Sequence, residues 1–380
     1  MSSVGLVKTK YYTFAHYPNE LVLDSGQRLG AITLAYETYG ALNEQKSNAI
    51  LIFHALSGDA HAAGKHHPKD EKPGWWDSMI GPGKAFDTDR YFVICANTIG
   101  GCKGSTGPSS INPRTGRPYG LDFPVFTIRD IVRSQRALID HLGIDRLLAV
   151  AGGSMAGMET LEWAITYPDR VKLSIPIATA SAQSAQNIAF NDMGRRAIMA
   201  DPRWRKGDYY GKEPPFDGLA VARMIGHVTY LSDATLTSKF GRKLENGDGY
   251  GFSLNPEFRV ESYLKNKGEA FTRRFDANSY LYITRAIDYF DLSKEYGTLA
   301  NAIGRARSRF LLLSFTSDWL YPPCKSEEIL SALRRCGKQG VHKTIDSTYG
   351  HDAFLVEDAK ITPTISRALE EAYCSVSSKG

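Results

Sequence analysis

The sequence predicts an α/β protein with a mostly parallel central sheet, helices on both faces of that sheet, and a helical insertion. Short apolar runs alternate with helical patterns over the first half of the 380-residue chain. A serine stands between small residues at a strand-to-helix junction. The strand pattern stops near residue 180 and returns near residue 310. Alternating strands and helices form parallel sheets, and right-handed crossovers place the carboxyl ends of the strands on one edge.

The first half of the chain supplies most of the predicted sheet. Residues 21–23 and 32–36 have the alternating pattern of antiparallel strands. Continuous apolar runs, typical of strands buried on both faces, occur at residues 49–53 and 91–96, and each is followed by a loop. The elements predicted next are a helix over 128–142, a strand over 147–151, a helix over 155–167 and a strand over 173–178.

The second half begins with a long helical stretch over residues 184–291, with loops predicted at 201–216 and 246–255. The pattern then predicts a strand over 310–315, a helix over 325–335, a weaker strand over 341–345 and a closing helix over 361–373. We therefore assign residues 1–183 and 304–380 to the α/β core and residues 184–303 to a helical lid insertion.

Composition and charge narrow the class of protein. The net charge of +5 is mild and the basic clusters are short, which favours a solvated surface over a nucleic-acid interface. Five scattered cysteines without a Cys-x-x-Cys pair indicate reduced thiols. Residues 1–12 lack a signal-peptide core, and no apolar run is long enough to span a membrane. We expect a soluble cytoplasmic protein with no nucleic-acid or membrane partner.

The serine at the strand-to-helix junction is Ser154, within Gly152-Gly153-Ser154-Met155-Ala156-Gly157. This arrangement is typical of a nucleophile elbow, a sharp turn that holds a serine in a strained conformation with its hydroxyl exposed. In such a turn the backbone N–H of the next residue, Met155, is one donor of an oxyanion hole. An ordinary glycine-containing turn with an incidental serine is the alternative.

A serine nucleophile needs a base and a group that orients the base, and in this topology both follow later strands, acid before histidine. Asp318 follows the predicted strand at 310–315, and His351 follows the one at 341–345. The loop after residue 53 should provide the second oxyanion donor, for which we select the backbone N–H of Leu56. The histidines at 54, 61, 66 and 67 lack carboxylate or cysteine partners at metal-ligand spacing, so we expect no metal site.

Several stretches, spread over nearly the whole chain, carry a resemblance to a known family. They are residues 74–77 (GWWD), 101–110, the elbow, 184–191 (SAQNIAFN), 222–231 (ARMIGHVTYL), 275–278 (FDAN), 317–319 (SDW) and 350–355 (GHDAFL). With these motifs the chain resembles the homoserine O-acetyltransferases, acyltransferases of methionine biosynthesis that have the α/β-hydrolase fold.

The resemblance implies a ping-pong reaction without a cofactor, in which acetyl-CoA is the acyl donor and L-homoserine the acceptor. Ser154 would carry the acetyl group, His351 would relay the proton, and Asp318 would orient the imidazole. Arg223 and Asp352 match the residues with which the family binds the carboxylate and the ammonium group of homoserine. Tyr230 shares a predicted helix face with Arg223. The resemblance also implies a homodimer formed through the helical insertion.

Two positions bear on the geometry of the elbow and on the choice of acyl donor. Ala156 replaces the glycine that this family usually has in the elbow. Relatives that use succinyl donors carry an arginine two residues after the catalytic aspartate, where this chain has Leu320. A buried succinyl carboxylate without a cationic partner would be costly, so Leu320 favours the acetyl donor. The alternatives are a homoserine O-succinyltransferase, a serine O-acyltransferase, a plain esterase and an inactive hydrolase fold that serves as a binding module.

Overall fold

The computed structural model describes residues 3–247 and 249–377, with side chains in the closing helix described up to residue 374. The outermost residues of the predicted core (1–2 and 378–380) and residue 248 of the predicted loop at 246–255 lie outside this description. No helix in the described ranges is long and apolar enough to cross a membrane.

An eight-stranded sheet forms the centre of the molecule, with strand order β1-β4-β6-β5-β7-β8-β9-β10, and β2 and β3 form a separate hairpin. The strands are β1 (Lys10–Phe14), β2 (Leu21–Val22), β3 (Arg28–Leu29), β4 (Ile32–Tyr39), β5 (Ala49–Ile52), β6 (Phe92–Ala96), β7 (Leu147–Gly153), β8 (Val171–Ile177), β9 (Arg309–Phe315) and β10 (Gly340–Ile345). The first pairings, β1 with β4 and β4 with β6, are antiparallel. All pairings from β6 through β10 are parallel, which confirms the predicted mostly parallel sheet.

Helices cover both faces of the sheet and fill the segment between β8 and β9. They are α1 (Ile128–His141), α2 (Met155–Thr166), α3 (Ala185–Ala200), α4 (Phe216–Tyr230), α5 (Asp233–Lys239), α6 (Arg259–Thr272), α7 (Ala277–Asp288), α8 (Leu299–Gly304), α9 (Pro323–Arg335), α10 (Ala353–Val356) and α11 (Asp358–Ser377). A capping box starts α1, in which the Thr127 hydroxyl and the Asp130 carboxylate satisfy each other's backbone N–H groups.

The apolar core is divided by the sheet into two layers. Strand β5 is buried along its whole length, and its side chains alternate between the layers, since successive residues of a strand point to opposite faces. Leu51 belongs to the layer that contains Leu161 of α2, whereas Ile50 belongs to the layer that contains Ile365 of α11. Burial on both faces explains why β5, β6 and β7 appear in the sequence as continuous apolar runs.

Between β8 and β9, residues 178–247 and 249–308 add no strand to the sheet. Helix α4 packs against both α3 and α6, and α3 also packs against α7. Isolated bridges occur within the described part of the segment and at its root, between Leu244 and Phe258 and between Ala182 and Asp291. Helices therefore lie beside the carboxyl edge of the sheet, where Ser154 emerges from β7.

Candidate active site

Ser154 stands between β7 and α2 in a conformation that non-glycine residues rarely adopt, with φ +64° and ψ −125°. Two neighbours hold its backbone in place. Its N–H donates to the carbonyl of Ile177 at 3.0 Å, and the Thr179 hydroxyl donates to its carbonyl at 2.9 Å. Both neighbours lie at or just beyond the end of β8, so the adjacent strand supports the strained turn.

Small residues make this turn possible because strand and helix approach closely. A Cβ atom added to Gly152 would lie 2.4 Å from the Cβ of Ala156, and one added to Gly157 would lie 2.6 Å from the Cβ of Thr179. Ala156, the departure from the usual family pattern, is thus accommodated because residue 152 has no side chain.

His351 and Asp318 form a buried pair at the same edge of the sheet. Nδ1 of His351 lies 2.8 Å from Oδ2 of Asp318, and the two residues are 3% and 2% exposed. The other carboxylate oxygen, Oδ1, accepts the backbone N–H groups of Leu320 at 3.0 Å and Tyr321 at 2.9 Å. Three hydrogen bonds therefore fix the position of this carboxylate.

Aromatic rings surround the imidazole of His351 and connect it to the elbow. The rings of Tyr321, Phe354 and Tyr230 have their centroids 5.3, 5.6 and 6.1 Å from that of His351. The Phe354 ring also packs on Gly153, where an added Cβ would lie 2.4 Å from the ring. Phe354 thus packs both on His351 and on the residue that precedes Ser154.

A narrow cavity of about 50 Å³ opens at Ser154. Four residues singled out in the sequence line it, namely Ser154, Leu56, Tyr230 and Leu320. Polar side chains of the insertion line it as well, among them Asn187 and Asn191. Asn187 donates to the carbonyl of Leu320 at 3.2 Å, so the insertion is tied to the loop that carries Asp318.

The loop after β5 presents the predicted second oxyanion donor. Within residues 3–247 and 249–377, the backbone N–H groups of Leu56 and Met155 donate no hydrogen bond to the protein, and both remain available for a ligand. The buried side chain of His54 holds the loop. Its Nδ1–H donates to the carbonyl of Ala55 at 2.8 Å and its Nε2 accepts the N–H of Thr98 at 3.0 Å. Burial lowers the pKa of His54, in agreement with a neutral ring that donates once and accepts once.

Arg223 lies on α4 and faces this loop. Its Nη1 donates to the Ser57 hydroxyl at 3.3 Å, and its guanidinium lies over the rings of Phe271 and Tyr230, at 4.7 and 5.4 Å from their centroids. Arg274, a second cation that the sequence analysis missed, donates to the carbonyl of Ser57 at 2.8 Å. Its position directly before the 275–278 motif was the available signal.

Asp352 and His227 add titratable groups on the insertion side of the cavity. Burial raises the pKa of the Asp352 carboxyl, while cationic neighbours that include Arg223 and Lys267 oppose that rise. Burial, together with the charges of Arg223, Lys267 and Arg274, lowers the pKa of His227 to about 3. His227 is therefore neutral at physiological pH, and the cations that can bind an anionic group there are its neighbours, Arg223 among them.

Two of the histidines without a carboxylate at metal-ligand spacing in the sequence have one in the structure. Glu37 of β4 contacts both His61 and His66, with Nδ1 of His61 at 3.0 Å and Nε2 of His66 at 2.6 Å from its two oxygens. Glu37 precedes these histidines by 24 and 29 residues, so inspection of local spacing could not find it.

This fold defines a class of protein, the α/β hydrolases, whose family model matches residues 48–358. The chain is 57% identical over 373 residues to a homoserine O-acetyltransferase from Methanohalobium evestigatum, covering 98% of this chain and 75% of the relative. Among solved structures it is similar to a homoserine O-acetyltransferase from Bacillus anthracis, with a TM-score of 0.90, 32% identity and coverage of 96% and 98%. It is also similar to esterase E22, with a TM-score of 0.89, 32% identity and coverage of 96% and 100%. The chain belongs to the α/β-hydrolase family and, within it, to the homoserine O-acetyltransferases, which are acyltransferases.

Proposed function

We propose that this protein transfers an acetyl group from acetyl-CoA to the side-chain hydroxyl of L-homoserine through an acetyl-Ser154 intermediate, as a step of methionine biosynthesis. The observation that carries the proposal is the shared cavity. Ser154 and Tyr230 line it together, Tyr230 contacts the ring of His351, and Arg223 lies over Tyr230. Tyr230 thus connects the cavity of the nucleophile with the base and with a cation suited to a carboxylate.

In the first half-reaction, the Ser154 hydroxyl attacks the thioester carbonyl and gives its proton to Nε2 of His351. Asp318 accepts the Nδ1–H of His351, so Nε2 is the nitrogen free to act as base. The backbone N–H groups of Leu56 and Met155 bind the oxyanion that forms on the carbonyl oxygen. The intermediate collapses when the C–S bond breaks and the proton on His351 passes to the departing CoA thiolate.

In the second half-reaction, His351 takes the proton of the homoserine hydroxyl while that oxygen attacks the acetyl-serine. The C–O bond to Ser154 then breaks, and Ser154 regains the proton. Arg223 binds the homoserine carboxylate through its guanidinium, and Asp352 accepts from the ammonium group. Tyr230 packs against Arg223 and orients it. No cofactor enters this cycle, since acetyl-CoA is a substrate.

Leu320 supports the acetyl donor over a succinyl donor. It lines the Ser154 cavity, where an apolar side chain suits the acetyl methyl group and offers no partner to a succinyl carboxylate. Burying an unpaired carboxylate costs several kcal/mol. Leu320→Arg should therefore improve kcat/KM for succinyl-CoA relative to acetyl-CoA.

The test combines each of two donors, acetyl-CoA and succinyl-CoA, with homoserine, serine or water as acceptor. For each combination, the rate is measured as release of the free CoA thiol. We expect the highest kcat/KM for acetyl-CoA with homoserine and loss of turnover in Ser154→Ala. Serine lacks one methylene, for which burial alone discriminates by about 10–200-fold. Acetyl-homoserine formation no faster than hydrolysis would instead indicate an esterase, the activity that the similarity to esterase E22 makes the second candidate.

The insertion supports two further parts of the proposal. We assign residues 184–303 to a lid over the core formed by residues 1–183 and 304–380. Exposed apolar side chains on α3 and α4 favour a homodimer through this lid, and they are Ile188, Met193, Met199, Phe216, Val221 and Val228. Sedimentation should show a dimer that Val221→Glu converts to a monomer.

The protein would act in the cytoplasm, where its five free cysteines stay reduced.

A further inference from the structure

Away from Ser154, the side chain of Glu37 joins two histidines on one surface of the molecule. The Glu37 side chain is fully buried, whereas the side chains of His61 and His66 are 19% and 46% exposed. One ligand atom from each residue, two imidazole nitrogens and a carboxylate oxygen, lie within 4.8 Å of one another. The two imidazole rings face each other with centroids 3.9 Å apart. The proposed acyl transfer uses none of these three residues.

The chemistry of this set matches a divalent transition metal. Two imidazoles and one carboxylate are the protein ligands of many zinc sites that keep one position for water. Zinc bonds of about 2.0–2.2 Å place the ligand atoms of a tetrahedral site about 3.3–3.6 Å apart. The imidazole nitrogens now lie 3.0 and 2.6 Å from the Glu37 oxygens, so the side chains must move slightly apart to admit the ion. The partial exposure of His66 provides an entry path.

Neighbouring groups hold the three ligands in position. The hydroxyls of Thr9 and Tyr39 donate to the two oxygens of Glu37 at 2.9 and 3.0 Å. Asp70 accepts the backbone N–H of His66 at 3.0 Å. Partners of this kind orient metal ligands and raise metal affinity.

We propose that Glu37, His61 and His66 bind one Zn²⁺ ion, with water at the fourth position. Binding displaces any proton that the two ligating nitrogens carry toward Glu37, because zinc binds neutral imidazole. The ion would tie β4 to the segment at residues 61–66, which follows the loop that bears Leu56. Its role is structural, since the site lies outside the proposed chemistry.

The experiment titrates Zn²⁺ into full-length protein that carries no histidine tag and has been stripped with a chelator. Calorimetry gives affinity and stoichiometry, and Co²⁺ absorption in the visible range reports the coordination geometry. His66→Gln removes the most exposed ligand and should leave the fold intact. His67→Gln is the matched control, because His67 is exposed and adjacent but lies outside the ligand set.

We expect one Zn²⁺ per chain in the unmodified protein and in His67→Gln, with a Tm that rises as Zn²⁺ is added. His66→Gln should bind at least about 10-fold more weakly, since loss of a ligand exceeds the 10–100-fold cost of losing an outer partner, and its Tm should not respond. Circular dichroism of the metal-free variants checks folding. Absence of stoichiometric binding, or binding that His66→Gln leaves unchanged, would overturn the proposal and leave these residues as an ion-pair cluster.

Discussion

Asp318→Asn should almost abolish activity without unfolding the protein. The new amide must present its oxygen to the two backbone N–H groups that now donate to Oδ1, those of Leu320 and Tyr321. Its NH₂ group then faces Nδ1 of His351, the atom 2.8 Å from Oδ2 in the native pair. An NH₂ group donates, so Nδ1 has to accept and the proton moves to Nε2. His351 can then no longer take the Ser154 proton.

The structure sets the size of the effect. Turning the amide the other way would leave two buried N–H groups without acceptors, at about 1–3 kcal/mol each. A total of about 2–6 kcal/mol corresponds to a roughly 30- to 20,000-fold preference for the amide orientation that misplaces the His351 proton. Loss of the carboxylate charge that stabilises the imidazolium lowers kcat further. We expect kcat to fall by about 10³- to 10⁴-fold, as measured by CoA release with homoserine, while Tm changes little.

The control for Asp318→Asn is Asp346→Asn, which alters an exposed carboxylate just after β10 and should retain full activity. If kcat of Asp318→Asn stayed within 10-fold of the unmodified protein, the assigned orientation of His351 would be refuted. A large fall in Tm would instead show that Asp318 acts mainly through folding.

Three further predictions concern the elbow, the acceptor site and the lid. Gly152→Ala should destabilise the protein by about 1–3 kcal/mol in denaturant unfolding, because its Cβ would lie 2.4 Å from that of Ala156. Adding Ala156→Gly should recover part of the lost stability. Equal free energies of unfolding for the single and the double variant would contradict this. The raised pKa of Asp352 means that the carboxylate protonates at a higher pH than an ordinary aspartate, so KM for homoserine should rise as pH falls through that pKa, and Asp352→Asn should remove the dependence. The pKa of His227 is lowered from 6.5 to about 3, so between these values the unfolded chain binds a proton at this residue and the folded chain does not. Going from pH 7 to pH 5 should therefore lower the free energy of unfolding by about 2 kcal/mol. In His227→Gln this part of the pH dependence should be absent.

Much of the fold could be predicted because its central strands, β5 to β9, are buried on both faces and their pattern depends on local sequence alone. The run at 49–53 became β5, and the helix predicted at 128–142 became α1. The elbow was recognisable because only small residues fit where Gly152 meets Ala156. Chain order and strand ends then indicated Asp318 and His351, which the structure brings to 2.8 Å.

Contacts between distant segments could not be predicted, because they depend on the sheet's strand order. Glu37 lies on β4, whereas His61 and His66 follow it by 24 and 29 residues, after β5. Arg274 reaches Ser57 across 217 positions of chain, and its place directly before the 275–278 motif does not by itself indicate that contact. Burial of Asp352, which determines its pKa, likewise depends on how the lid packs on the core.

The insertion leaves the sheet at the end of β8 and returns at β9, and these strands are hydrogen-bonded neighbours. The two attachment points are thus close in space, and the sheet pairs across them regardless of what the intervening chain does. Arg223 lies within this segment, while Ser154, Asp318 and His351 lie outside it. Substitutions within this segment can therefore change the surroundings of Arg223 without breaking the pairing of β8 with β9. The acetyltransferase from Bacillus anthracis and esterase E22 each match 96% of this chain, so both share the segment as well as the sheet.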